Sequence, residues 1–160
     1  MSGGGPAGRA RDHDDHEAIT QLKYAYFRCL DLKRWDEFAA LFVPEATGAY
    51  AGLDFTSRDD LVAYMSENLP ADRITLHQAH HPEITVDGDT AEGIWYLHDK
   101  VFVPEYDIAI EGAAFYRDRY VRTPDGWRLS HVGYERTFEA SWQMSGIPGW
   151  TLKRGKAYDA

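Results

Sequence analysis

The sequence is poor in the residues that staple small proteins together and in those that lodge a chain in a membrane. Its 160 residues include one cysteine, Cys29, so no disulfide forms within the chain and nothing calls for an oxidising compartment. Cys29 sits among apolar-periodic residues, where a thiol is a small buried hydrophobe rather than a nucleophile. No run approaches the ~20 apolar residues of a membrane span. Residues 1–11, MSGGGPAGRAR, lack the apolar stretch of a secretory leader, and the cytoplasm is the expected location. Basic residues are also scarce: 17 stand against 26 acidic ones, a net charge of −9. Nucleic acid and anionic membranes repel such a surface and are not expected partners. Glycine-rich phosphate loops, GxSxG elbows and CxxC pairs are missing, and phosphoryl transfer, serine hydrolysis and zinc-ribbon chemistry lose their usual signals.

Aromatics are plentiful, at 14% of residues with ten tyrosines and five tryptophans. A chain of this length buries roughly 70% of its unfolded surface, enough for one domain without staples. Residues 1–11 read as a flexible tail and 12–160 as that domain. The acidic run from Asp12 suits a helix N-terminus. Ile19, Leu22, Tyr26, Cys29 and Leu30 recur at helical spacing, and the helix must end near Asp31–Arg34. A short helix over Trp35–Leu41 follows, stopped by Pro44. Residues 46–55 read as a strand pair or as a strand and turn. A third helix, Asp59–Leu69, is capped by Ser57 or Arg58 and ended by Pro70. From Ile74 the period becomes two, with a hairpin around Asp87–Gly88–Asp89. Residues 111–121 and 127–135 alternate likewise across Thr123–Pro124–Asp125–Gly126, and the chain beyond Ser141 reads as loop or extended packing. Helices first and antiparallel strands after give an α+β fold. A curved, mostly antiparallel sheet wraps the N-terminal helices as a cone-shaped barrel with a pocket inside.

Two residues stand out chemically. Asp31 lies at a helix C-terminus, where the dipole disfavours a carboxylate. His77 opens the cluster HQAHH. An imidazole whose second nitrogen is held by a carboxylate suits general-base work near neutrality. A metal site in the same cluster is disfavoured, because His77 and His81 share one face of an extended strand while His80 points away. Tyr26, on the helix of Asp31, could hydrogen-bond a developing oxyanion. Arg136 could hold a carboxylate or steady the pair. Read alone, His80, His81 and His98 are structural.

The segment KYAYFRCLDLKRWDEF resembles the first-helix signature of the SnoaL-like superfamily, which has the nuclear-transport-factor fold. YFRCLD with WDE just after it, then H..H.PEIT.D, WYL.D, GAAFY.D.Y, DGW and GY.R, is similar in order to the bile acid 7α-dehydratase branch over residues 17–138. The resemblance implies catalytic roles for Tyr26, Asp31, His77 and Arg136, and no metal or organic cofactor. Tyr50, Trp95, Tyr106 and Phe115 are the aromatics expected to bind substrate. His80 stands at a family-like position with no assigned role. The implied activity is a hydro-lyase's: loss of water from a 7-hydroxy-3-oxo-Δ4 steroid or bile-acid-like substrate, carried as a coenzyme A thioester in the branch it resembles. His77 would take the proton, Asp31 would orient it and Tyr26 would stabilise the dienolate. A homo-oligomer is implied, a trimer ahead of a dimer. The segment 102–111 is shorter than the branch pattern, and Glu111 replaces a neutral polar residue; both are expected at the pocket rim. The alternatives are an isomerase, cyclase or dehydratase acting on another polycyclic or polyketide substrate, a non-catalytic ligand-binding member, and the small subunit of a ring-hydroxylating oxygenase.

Overall fold

The first helix, α1 (Pro6–Leu32), buries Ile19, Leu22, Tyr26, Cys29 and Leu30 along one stripe. Full burial of each large apolar side chain stabilises the fold by roughly 1.5–3 kcal/mol. The structure, a computed structural model, describes residues 6–50 and 52–159. After α1 come α2 (Trp35–Ala39), β1 (Phe42–Tyr50), β2 (Leu53–Phe55) and α3 (Arg58–Asn68). Four long strands follow: β3 (Ile74–Asp87), β4 (Thr90–Val103), β5 (Ile108–Thr123) and β6 (Gly126–Gln143). Short 3₁₀ turns lie at Pro104–Tyr106, Met144–Gly146 and Lys156–Asp159.

The six strands form one curved sheet in the order β2-β1-β6-β5-β4-β3. All neighbours pair antiparallel except β1 and β6, which run parallel. This is the expected α+β architecture, with the helices packed against a curved, mostly antiparallel sheet. Alternation sets the inner face: Trp95, Leu97 and Asp99 of β4 and Ala114, Tyr116, Asp118 and Tyr120 of β5 are all buried. Gly88 closes the β3–β4 hairpin at φ 61, a left-handed turn that glycine adopts without strain. Among the described residues no helix is long and apolar enough to cross a membrane.

Four boundaries differ from expectation. α1 begins at Pro6, inside the segment expected to be a tail; residues 1–5 lie outside the described residues. Pro44 belongs to β1 instead of stopping the second helix. It sits where the β1–β6 register shifts between Phe42 and Thr47, an irregularity that tolerates a missing backbone N–H. β6 runs on to Gln143, past the expected strand end at Glu135 and into the segment beyond Ser141. Finally, β3 is not a regular strand through its histidines. Its register shifts between His80 and Glu83, and His81 takes a left-handed φ of 49, so His81 leaves the assumed alternation while His77 and His80 keep it.

Candidate active site

α1 ends in a backbone motif that turns the chain sharply beside Asp31. Arg34 N–H bonds the Cys29 carbonyl at 2.9 Å and Lys33 N–H the Leu30 carbonyl at 3.3 Å. Lys33 holds the left-handed position at φ 59, the pattern of a Schellman cap in which glycine is usual. Asp31 thus stands in the last turn of α1, facing the start of β3.

There its carboxylate is fully engaged. Oδ1 accepts His77 Nδ1–H at 2.7 Å and the Thr75 hydroxyl at 2.8 Å, and Oδ2 accepts the His77 backbone N–H at 3.0 Å. These bonds offset the unfavourable helix dipole. A carboxylate only accepts, so the proton of neutral His77 is on Nδ1. Nε2 carries the lone pair. The imidazole is further fixed by Phe27, which stacks on it at 5.7 Å with the rings 8° from parallel.

His77 borders a cavity of about 160 Å³ between α3 and the inner sheet face, lined also by Leu30, Tyr50, Tyr64, Met65, Asn68, Leu69, Asp99, Val101, Tyr116, Tyr134 and Arg136. Its walls are mostly aromatic and aliphatic with a few convergent polar groups, the usual make-up of a small-molecule site. Arg136 from β6 grips Asp99 of β4 with both terminal nitrogens, Nη2 to Oδ2 at 2.8 Å and Nη1 to Oδ1. This bidentate pair fixes the guanidinium plane. Burial alone would lower the Arg136 pKa, but the Asp99 carboxylate outweighs it and raises the value. The neighbouring Gly112 makes room: a Cβ there would lie 2.6 Å from Arg136 Nη1.

Beneath the cavity lies a cluster of phenols. Tyr26 and Tyr50 share a hydrogen bond of 2.6 Å. Burial pushes the hydroxyls of Tyr26, Tyr50 and Tyr116 well above the ordinary tyrosine value, so they stay protonated and able to donate. Below them the Lys23 ammonium, fully buried, sits 2.7 Å from Asp118 Oδ2 and 3.6 Å from the Tyr116 ring centroid. Burial lowers the lysine pKa and raises the aspartate's, each opposed by the attraction of its partner. Neighbouring groups add contacts to both members of the pair. Trp95 Nε1–H donates to the Tyr120 hydroxyl at 2.9 Å, and that hydroxyl donates on to Asp118 Oδ2 at 2.8 Å. The rings of Tyr26, Phe27 and Tyr116 surround the ammonium, an attractive arrangement for a cation.

The structure therefore brings Asp31, His77, Arg136 and Tyr50 to one site, and it places the other expected residues elsewhere. Tyr26 is wholly buried behind Tyr50 and does not line the cavity. Trp95 is a core residue bonded to Tyr120. Tyr106 is 60% exposed on a 3₁₀ turn, and Phe115 is 43% exposed on the outer sheet face, stacked on Tyr96. Glu111 is not at the rim. It bonds His98 at 2.7 Å and meets Lys100 at 3.4 Å on the face opposite Asp99; those two partners, His98 first, hold its carboxyl below the usual range. Cys29 is buried, its thiol pKa raised chiefly by burial. Among the described residues no three His, Cys, Asp or Glu side chains converge as a metal site. Sequence reasoning missed Thr75, Asp99, Tyr116, Tyr134, Lys33 and the Lys23–Asp118 pair. Thr75 had a signal, since it lies two residues before His77 on a strand and so shares its face.

A family model described as a SnoaL-like domain matches residues 11–133. An uncharacterized protein of Mycobacterium tuberculosis is 29% identical over 118 residues, covering 72% of this chain and 80% of that protein. Among solved structures, an NTF2-like protein with a cystatin-like fold from Novosphingobium aromaticivorans superimposes with a TM-score of 0.71 at 24% identity, over 82% of this chain and 87% of the other. The hexachlorocyclohexane dehydrochlorinase LinA-type3 of Novosphingobium barchaimii gives a TM-score of 0.72 at 18% identity, over 90% and 97%.

Proposed function

This chain belongs to the family of SnoaL-like domains, and from that premise we propose that it is a carbon–oxygen lyase that removes a proton with His77 and expels a leaving group, water in the reading we favour. The observation that carries this is the locked imidazole: Nδ1 is held by Asp31, and His77 borders a cavity lined by tyrosines. In a 7-hydroxy-3-oxo-Δ4 steroid or bile-acid-like substrate, conjugation acidifies the C6 proton. His77 Nε2 takes it, and the electrons move toward the C3 oxygen. Tyr50 donates to that oxygen, with Tyr26 behind it. The imidazolium, stabilised by Asp31, then protonates the departing C7 hydroxyl. The substrate is its own electron sink, and the step needs no organic cofactor. Positioned general-base catalysis contributes ~10²–10⁴-fold and oxyanion stabilisation ~10²–10³-fold. Arg136, fixed on Asp99, steadies the wall opposite and presents its charge to the cavity.

One observation favours a second reading with the same chemistry. The cavity, about 160 Å³, is smaller than the roughly 300–1,000 Å³ of typical ligand pockets. A tetracyclic substrate exceeds this volume, whereas an isomerase, cyclase or dehydratase substrate of one or two rings comes closer to it. The dehydrochlorinase fold relative acts, by its name, on a single six-membered ring.

The test is incubation with 3-oxo-Δ4 steroids bearing a 7α- or 7β-hydroxyl, as free acids and as coenzyme A thioesters, followed by the longer-wavelength dienone absorbance. Turnover is expected in the wild type. His77→Ala and Asp31→Ala should each remove at least ~10²-fold of it while the circular dichroism spectrum is unchanged. Activity near wild type in both variants overturns the proposal; turnover of small cyclic substrates alone moves the assignment to the second reading.

A further inference from the structure

The Thr75 hydroxyl stands between a group that can only donate and a group that can only accept. Lys33 Nζ lies 2.8 Å from Thr75 Oγ1, and Thr75 Oγ1 lies 2.8 Å from Asp31 Oδ1. An ammonium has no lone pair and a carboxylate no proton, so the chain has one direction: Lys33 to Thr75 to Asp31. The oxygen it reaches is the one that takes His77 Nδ1–H. Thr75 is buried, and its rotamer is fixed from both sides.

Two further observations converge on the same residue. Lys33 occupies a left-handed backbone position, φ 59, where glycine is the ordinary choice. A strained position kept by a long charged side chain is an outlier that points to a role for that side chain. From the other end of the chain, the Tyr158 hydroxyl accepts Thr75 N–H at 3.1 Å and donates to Thr75 C=O at 3.2 Å. β3 is an edge strand, and an edge leaves such backbone groups without a sheet partner. Tyr158 takes the place of that missing neighbour.

We propose that Thr75 is a positioning residue for the His77–Asp31 pair, held in its rotamer by Lys33 and in its backbone place by Tyr158, so that the C-terminal 3₁₀ turn is a working part of the site. Thr75 touches no reacting atom. It fixes which way the Asp31 carboxylate faces, and Asp31 fixes His77. The catalytic part of this inference rests on the function proposed above; the geometric part does not.

The experiment separates the two. The His77 Nδ1–H proton, bonded to a carboxylate, gives a far-downfield ¹H NMR resonance in the wild type without any substrate, assigned by its loss in His77→Gln. Thr75→Val keeps the shape of the side chain and removes the hydroxyl; the resonance is expected to move upfield or to vanish into solvent exchange. Thr75→Ser restores the hydroxyl and is expected to restore the signal. Lys33→Met and Tyr158→Phe are expected to shift it by smaller amounts. With a 7α-hydroxy-3-oxo-Δ4 steroid, Thr75→Val should lower kcat about tenfold or more with KM nearly unchanged, as for a misplaced catalytic group. A wild-type spectrum lacking the resonance, or a resonance unmoved in Thr75→Val, overturns the inference. If Thr75→Val does not fold, an unmoved resonance in both Lys33→Met and Tyr158→Phe does the same. A wild type that shows the resonance and turns over no substrate defeats the proposed function and leaves the positioning role to be decided by the spectra.

Discussion

Tyr26 and Tyr50 share one short hydrogen bond, yet only Tyr50 reaches the cavity. The reason lies in helix geometry. Tyr26 and Asp31 are five residues apart, which separates their side chains by about 140° around the helix axis, so both cannot aim at one point. Tyr50→Phe is therefore expected to lower kcat by ~10²–10³-fold as the loss of an oxyanion donor. Tyr26→Phe, which leaves the Tyr50 hydroxyl in place, should cost about tenfold; steady-state kinetics of the two variants distinguish the roles, and equal losses would return Tyr26 to the cavity. Asp31 and His77 could be singled out from the sequence because a helix-end acid and a strand histidine each leave a local mark. Asp99 and Tyr116 leave none. An acid or a tyrosine on an alternating strand looks the same whether it meets solvent, core or a guanidinium.

β3 and β4 show why the opposite wall of the site was hidden. The hairpin closes with Asp87 opposite Thr90, and its upper pairs follow from that turn, as with Glu83 opposite Ile94. Carried down the ladder without interruption, the same register would set His77 across from Lys100. The irregularity between His80 and Glu83 shifts the pairing by one residue, and His77 stands across from Asp99 instead. A one-residue slip exchanges the faces of a strand, and no composition signal in HQAHHPE announces it. The hairpins themselves, the capped third helix and the order of helices before strands were all legible, because turn residues and periodicity are local. On β5, Gly112 is matched to the Arg136 guanidinium, whose Nη1 a Cβ would approach to 2.6 Å. Gly112→Ala should push Arg136 off Asp99 and destabilise the fold by about 1–3 kcal/mol, the usual cost of overpacking. Chemical denaturation measures the loss, and an unchanged midpoint would mean that both Arg136 and the Phe138 carbonyl, 2.9 Å from such a Cβ, have room to yield.

At the scale of the molecule, the Lys23–Asp118 pair joins α1 to β5 in the middle of the core, with both side chains fully buried. Removing one member strands the other: Lys23→Met alone should cost about 3–5 kcal/mol. The double variant Lys23→Met/Asp118→Leu should recover most of that, because a well-packed apolar pair often matches a buried ionic one. Urea unfolding of the three proteins checks this, and a double variant as weak as the single one would show that the charges themselves are required. α1 is anchored at two points besides its middle. Asp15 bonds Trp127 Nε1–H at 3.1 Å and Arg122 at 2.6 Å on the β5–β6 hairpin, while Asp31 bonds Thr75 and His77 on the far edge of the sheet. The helix between them acts as a ruler. One inserted or deleted residue would rotate Asp31 by about 100° and slide it by about 1.5 Å relative to Asp15, and both anchors could not then be met. Relatives that keep this site should vary freely in the loops around it while holding the spacing from Asp15 to Asp31 constant.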